Sequence, residues 1–313
     1  MRIHTVTLNP AIDETVTLDR LVPGEVHRAH AVRQNPGGKG VNVASCLADW
    51  NLDVVAHGLL GSDNAAPFDQ LFARKAIEDR FIRVVGATRV NLKLVDRTGT
   101  TDINLTGIAV DESRVDMVVA TLGAAVRPGD LVILSGSVPP GCSHGIYAML
   151  VTRLRDAGCR VLLDTSGIPL ERALAADVLP HVIKPNRDEL AAWAGHPLTD
   201  RAELIGTARR LLDRGVELVV VSMGAEGALF LSAEGTVATR LVLGAVSSTV
   251  GAGDAMVAGI AAALHERADP ERLARLATAF AGGKLGMAGP NLPERGAVEA
   301  LAAEVSVSEP EAA

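Results

Sequence analysis

The residues Ser248-Thr249-Val250-Gly251-Ala252-Gly253-Asp254 set small side chains before an aspartate, and the aspartate opens an apolar run, Ala255–Leu264. The run predicts a buried helix whose first-turn N–H groups have no side chains to screen them. Such a turn attracts anions, and a carboxylate beside it can take a proton from a hydroxyl. Together they are the means of phosphoryl transfer to an alcohol. Asp254 can equally be an ordinary helix cap. On this motif alone the two readings stand level.

Other residue types able to do chemistry are spread along the chain. Asn35-Pro36-Gly37-Gly38-Lys39-Gly40-Val41-Asn42 is a glycine-rich turn entering a helix. It lacks the Gly-Lys-Ser/Thr ending of a P-loop and the third glycine of a dinucleotide fingerprint, and no strand is expected just before it. Lys39 inside the turn and Asn42 one step into the helix favour a ligand site over a plain turn. Asn9 and Asp13 follow the first strand, where Asp13 can accept hydrogen bonds from sugar hydroxyls or simply shape a turn. Ser135-Gly136-Ser137 closes a buried strand with residues small enough for a ligand to approach, or for a strand-to-helix turn. Asn186 and Glu189, three apart after Lys184-Pro185, suit a hydrated Mg²⁺ on phosphates as well as they suit a capping box. Ser222, Gly224 and Gly227 fit the edge of a nucleotide or a hairpin connection. Only five of the 30 basic residues are lysines, which marks Lys39, Lys93 and Lys184 as places that need a compact ammonium. Lys75 and Lys284 are read as chance survivors.

These residues need elements to position them. In 313 residues, 48% hydrophobic and 21% charged, a globular protein with one large domain is expected. A net charge of -7 excludes nucleic acid as the main partner, because a phosphate backbone needs a basic surface. Cys46, Cys142 and Cys159 have no metal-ligand spacing and read as reduced thiols of a cytoplasmic protein. The first residues lack a signal-peptide core and no apolar run reaches membrane-spanning length, so neither export nor a membrane partner is expected. Apolar strands at Ile3–Leu8, Val54–Leu60, Phe81–Val85, Leu131–Leu134, Val161–Leu163 and Leu218–Val221 alternate with helical patterns. That rhythm predicts a mainly parallel sheet covered by helices.

Helices are expected around Val41–Ala48 and Phe68–Phe72, and over Gly145–Arg155, Arg187–Trp193, Arg201–Asp213, Gly251–Leu264, Pro270–Gly286 and Glu294–Val305. Two stretches break the rhythm with period-two alternation: Thr15–Leu18 with Glu25–Val32, and Thr88–Val95 returning through Thr101–Leu105. They predict a small separate sheet at 12–35 and 86–109, acting as a lid, on a core of 1–11, 36–85 and 110–305. Residues 306–313 are expected to be a disordered tail.

Taken in order, Asn9–Asp13, Gly37–Asn42, Lys184–Glu189, Ser222–Gly227 and Thr249–Asp254 resemble the ribokinase-like (PfkB-type) carbohydrate kinases over essentially the whole chain. Gly38-Lys39-Gly40-Val41-Asn42, Leu60–Asn64, Thr88–Leu94, Thr101–Asn104 and Trp193-Ala194-Gly195 look most like the 1-phosphofructokinase subgroup. Tagatose-6-phosphate kinases share much of that pattern. The absence of a charge after Ser166 and Met223 in place of Leu are departures that touch no expected catalytic group.

The resemblance implies a three-layer α/β/α core with mainly parallel sheet plus a small β-sheet lid, ATP and Mg²⁺, a sugar phosphate substrate, and a homodimer through the lid. By the same resemblance, Asp254 is the general base and Gly251, Ala252 and Gly253 the anion hole. Asp13, Gly38 and Asn42 hold the sugar, while Lys39 and Arg89, with Lys93 and Ser137 as weaker candidates, meet the substrate's phosphate. Lys184 stands near the transferred phosphates, Ser222, Gly224 and Gly227 line the ATP site, and Asn186 and Glu189 orient Mg²⁺, through water. The reaction implied is phosphorylation of the C6 hydroxyl of fructose 1-phosphate.

Overall fold

The computed structural model describes residues 1–244 and 251–309. From β1 (Ile3–Thr7) the chain leaves the core for β2 (Ala11–Thr17) and β3 (Ala31–Gly37), returning at α1 (Lys39–Asp49). After β4 (Val54–Gly61), α2 (Ala66–Arg74) and β5 (Glu78–Val84) it leaves again for the hairpin β6 (Val90–Asp96) and β7 (Gly99–Ile103). Strand–helix units follow: α3 (Glu112–Ala125), β8 (Leu131–Ser135), α4 (Ile146–Asp156), β9 (Arg160–Asp164), α5 (Gly167–Ala175), β10 (Val182–Ile183) and α6 (Arg187–Ala194). The rest comprises α7 (Arg201–Asp213), β11 (Leu218–Ser222), β12 (Ala228–Ser232), β13 (Gly235–Arg240), α8 (Ala252–Glu266), α9 (Pro270–Lys284), α10 (Arg295–Glu304) and β14 (Ser306–Ser308).

The large sheet runs β14-β13-β12-β11-β10-β9-β8-β1-β4-β5. It is parallel from β11 to β5 and antiparallel at the β12–β14 edge. Its strands are buried on both faces, so alternate residues serve two cores. Ile3, Leu131, Ile133 and Val220 pack with α1, α2, α8, α9 and α10, while Val6, Val132, Leu134 and Val221 pack with α3, α4, α5 and α7. That is why these strands read as continuous apolar runs. Gly259 has no space for a side chain, since a Cβ there would stand 2.6 Å from the Ala277 Cα. The missing side chain lets α8 and α9 pack backbone to backbone.

The chain winds outward from β1 in both directions, to β4 and β5 on one side and to β8 and beyond on the other. The crevice at a reversal of this kind collects ligands at the carboxyl ends of the strands. The small sheet, β3-β2-β6-β7, stands beside that end.

Three expectations need correction. Glu25–Val32 was expected to be a strand, but β3 begins only at Ala31, because Pro23-Gly24 opens a longer loop. A strand does precede the glycine-rich turn, since β3 runs to Gly37. It belongs to the small sheet, so the turn is still no dinucleotide βαβ unit. Of the expected tail, Ser306–Ser308 is β14, paired with Ala238–Arg240, because Val307 finds an apolar neighbour on the edge of the core. The remainder, 310–313, lies outside the described residues, as do Ser248, Thr249 and Val250 of the opening motif. Among the described residues no helix is long and apolar enough to cross a membrane.

Candidate active site

Helix α8 starts at Gly251, whose φ of 80° places it in the left-handed region that glycine tolerates without strain. No side chain caps this start. Asp254 therefore does not cap its own helix; it lies in the first turn, buried. Its Oδ2 accepts a hydrogen bond from Asn42 Nδ2 at 2.7 Å. Asn42 is delivered by α1, which Gly40 seats against β1: a Cβ there would fall 2.4 Å from Thr7 Oγ1. Burial raises the Asp254 carboxyl to about 6, against the pull of Lys39, Lys184 and the Asn42 hydrogen bond, and with a push from Asp164. The carboxylate is thus more basic than an ordinary aspartate yet mostly ionised at neutral pH.

Two cavities meet at this helix start. One, of about 350 Å³, is lined by Asp13, Arg33, Asn35, Asn42, Lys93, Gly251 and Lys284, among others. The other, of about 430 Å³, has small residues that leave backbone open at Ser222, Gly224, Gly227, Ala252 and Gly253, and an apolar wall of Val242, Leu243 and Met256. The first suits a polar, anionic ligand, and the second a flat ring with a polar tail. Gly251 faces the first cavity and Ala252 and Gly253 the second, so the uncapped N–H groups lie where the two ligands would meet.

Beneath them sits Asp164, at the end of β9 and fully buried, with Lys39 Nζ and Lys184 Nζ each 3.2 Å from one of its oxygens. Burial alone would raise the Asp164 carboxyl, but the two ammoniums outweigh it and hold it below its ordinary value. In return Lys39, despite desolvation, is raised by Asp164 and Asp254 and stays charged. Lys184 Nζ also lies 3.6 Å from where a Cβ on Gly253 would be.

The structure brings Asp13, Asn42, Lys93, Gly251, Ala252, Gly253, Asp254, Ser222, Gly224 and Gly227 onto the two cavities or their shared turn. Asp13 lies within β2, so it is not the turn residue offered as the alternative. The 222–227 segment is both a cleft edge and the hairpin between β11 and β12.

Other candidates have different partners. The Arg89 guanidinium donates to the carbonyls of Asn9, Pro10 and Leu105, Ser137 Oγ accepts from Asn9 Nδ2, and Gly38 packs on Pro10. None of these three, nor Lys39, lines either cavity. Asn186 and Glu189 form the capping box of α6, the two reciprocal bonds being 2.8 Å each.

Sequence reasoning passed over Asp164, Arg33 and Lys284. A charge ending the apolar run Val161–Leu163 was the available sign for Asp164, and the rarity of lysine was the sign for Lys284. Lys284 is no chance survivor, since it lies buried against Gly251. Lys75 is placed as well, paired with Asp49 at 2.7 Å and donating to Ser45 Oγ, and it lines neither cavity. Arg33 gave no sign, because its strand was expected to end before it.

Residues 6–295 match the family model described as pfkB family carbohydrate kinase. A 1-phosphofructokinase of Xanthomonas campestris pv. campestris is 53% identical over 281 residues, 88% of each chain. A 1-phosphofructokinase of Rhodobacter capsulatus is 46% identical over 310 residues, 98% of each chain. Among solved structures, phosphofructokinase-2 from Escherichia coli, in complex with substrates and products, superposes with a TM-score of 0.90. It is 27% identical, and the match covers 97% of this chain and 99% of that one.

Proposed function

The chain belongs to the pfkB family of carbohydrate kinases, and on that premise we propose that it is a 1-phosphofructokinase. It phosphorylates the C6 hydroxyl of fructose 1-phosphate with ATP, giving fructose 1,6-bisphosphate and ADP. The observation that carries this is the buried, raised carboxylate of Asp254 at an uncapped helix start between two cavities. Curated relatives of the same name along nearly the whole chain supply the sugar.

Asp254 takes the hydroxyl proton, and Asn42 fixes the carboxylate by holding Oδ2. Gly251, Ala252 and Gly253 aim their N–H groups at the migrating group, where fixed dipoles need no reorganisation. Asp13 and Asn42 hold sugar hydroxyls, with Gly38 shaping the turn that carries Asn42. Lys93 and Arg33 meet the substrate's phosphate from the lid strands. Lys39 and Arg89 join them by exchanging Asp164 and backbone carbonyls for the phosphate, a stronger acceptor. Ser137 keeps Asn9 in place below the sugar.

ATP supplies the phosphoryl group and Mg²⁺ neutralises charge on it. The cleft of Ser222, Gly224 and Gly227 fits the nucleotide, and Lys184 fits its phosphates. Among the described residues no three His, Cys, Asp or Glu side chains cluster as a metal cage. A hydrated ion would fit instead: the Glu189 oxygen that the cap leaves over would hold it through water, and Asn186 would help to orient it.

The small sheet covers the sugar cavity and joins two copies into a dimer. β7 is exposed along its length and ends at the exposed Ile103, with Leu105 exposed just beyond it, while Val32 presents apolar surface on β3, the opposite edge of the sheet. The protein works in the cytoplasm. ADP formation with fructose 1-phosphate, fructose 6-phosphate and tagatose 6-phosphate, compared as kcat/KM, tests the reading. Binding of a sugar phosphate with no ADP formed would identify a sensor instead.

A further inference from the structure

The anion hole has a cation on each side, and among the described residues only one of them has a carboxylate anchoring it. Lys184 Nζ is anchored by Asp164 and stands beside Gly253. On the other side, Lys284 ends α9 and is only 7% exposed. Its Cε would be 3.2 Å, and its Nζ 4.0 Å, from a Cβ placed on Gly251. The ammonium donates to the carbonyl of Met287 at 3.0 Å, and the side chain lines the sugar cavity beside Gly251 and Asn42.

A lysine loses solvation and rotamer freedom when buried, so its position needs a compensating charge. Burial leaves its ammonium easier to discharge than an ordinary lysine's; Asp254 is the charged group that supports it, since burial pushes the nearby Cys46 thiol up and keeps it neutral. The Met287 carbonyl is a neutral partner. What would repay the burial is a dianionic group between the two cavities, which the reaction supplies when the phosphoryl moves.

We propose that Lys284 is a further catalytic residue: its ammonium closes the anion hole from the sugar side and contacts the migrating phosphoryl group opposite Lys184. Gly251 is then required twice, for the left-handed backbone and for the room that the lysine stem occupies. The inference rests on the phosphoryl-transfer reading above. A cation that acts on charge formed only in transit lowers kcat when removed, whereas one that holds the resting substrate raises KM.

The test compares wild type with Lys284→Met and Lys284→Gln, using the sugar phosphate that wild type turns over fastest. Folding is checked by melting temperature. Both variants are expected to lose roughly 10²-fold in kcat, on the scale of losing one oxyanion-hole donor, with KM values within about threefold of wild type. Lys284→Ala should recover part of kcat with added methylammonium. A folded variant with kcat within twofold of wild type, or a rise confined to KM, would overturn the assignment. Equal loss of kcat and melting temperature in both variants, with no rescue of Lys284→Ala, would overturn it in favour of a purely structural lysine. If wild type phosphorylates no hexose phosphate at all, the function reading fails and this inference falls with it. An active wild type beside an unimpaired variant overturns the inference alone.

Discussion

Asp254 carries two consequences of burial that pull apart with pH. As a base it must be ionised, so kcat should rise as pH passes through about 6 and then level off. Asp254→Asn should keep ligand binding and lower kcat by roughly 10²-fold or more; near-normal turnover would contradict the base assignment. For stability the sign is opposite. The folded carboxyl binds its proton more tightly than the unfolded one, so its stabilising contribution is present at low pH and lost as pH rises through about 6. At pH 8 the Asn variant should therefore resist urea better than wild type, by about 1–3 kcal/mol, with the gap closing near pH 4. Lys39→Ala should chiefly raise KM for the sugar phosphate, because it removes a binding charge; an unchanged KM would place the phosphate elsewhere. At this scale the sequence was legible where a residue sits in a local pattern. Asp254 and Asn42 stand at helix starts with small neighbours, and they do meet. Asp164 was hidden because its role comes from Lys39, 125 residues away in the chain, and from Lys184 just past β10.

The elements that carry these residues depend on close backbone approach. Gly40 lets α1 lie on the end of β1, with Val6 O 2.9 Å from where a Cβ would be. Gly40→Ala should push α1 outward, cost about 1–3 kcal/mol, and lower kcat by carrying Asn42 away from Asp254. A melting temperature and kcat both equal to wild type would contradict that linkage. The capping box at Asn186 and Glu189 shows why sequence leaves cap and metal readings level: both need an oxygen acceptor and a carboxylate three residues apart. Buried parallel strands such as Leu131–Leu134 were legible because both faces must be apolar. The two-residue β10 and the partly solvated β13 were not, since short or partly solvated strands carry little pattern. The Glu25–Val32 segment alternates without being a strand until Ala31, because alternation does not supply a pairing partner.

On the scale of the molecule, the sheet has a titratable weak point away from the cleft. His4 on β1 and His57 on β4 are fully buried, with His4 Nδ1 and His57 Nε2 3.1 Å apart and His4 Nε2 3.6 Å from Asp130. Burial, and then His4, lowers His57 to about 3, and burial lowers His4 as well. Depressed histidines stabilise the fold fully above about 6.5, and that stability is lost as pH falls from there toward 3. Each contributes a loss of about 1.4 kcal/mol per pH unit across its window, so the melting temperature should fall steadily below pH 6. A flat profile to pH 4 would contradict neutral burial of the pair. The three-layer plan and the separate small sheet were legible from rhythm, whereas the positions of the two cavities were not, because each is lined by segments distant in the chain. The central claim is that these cavities and Asp254 transfer phosphoryl to C6 of fructose 1-phosphate. The direct measurement is kcat/KM of the purified protein with ATP on fructose 1-phosphate, fructose 6-phosphate and tagatose 6-phosphate. The account predicts fructose 1-phosphate ahead of both by at least about tenfold; equal or better use of either 6-phosphate would contradict it.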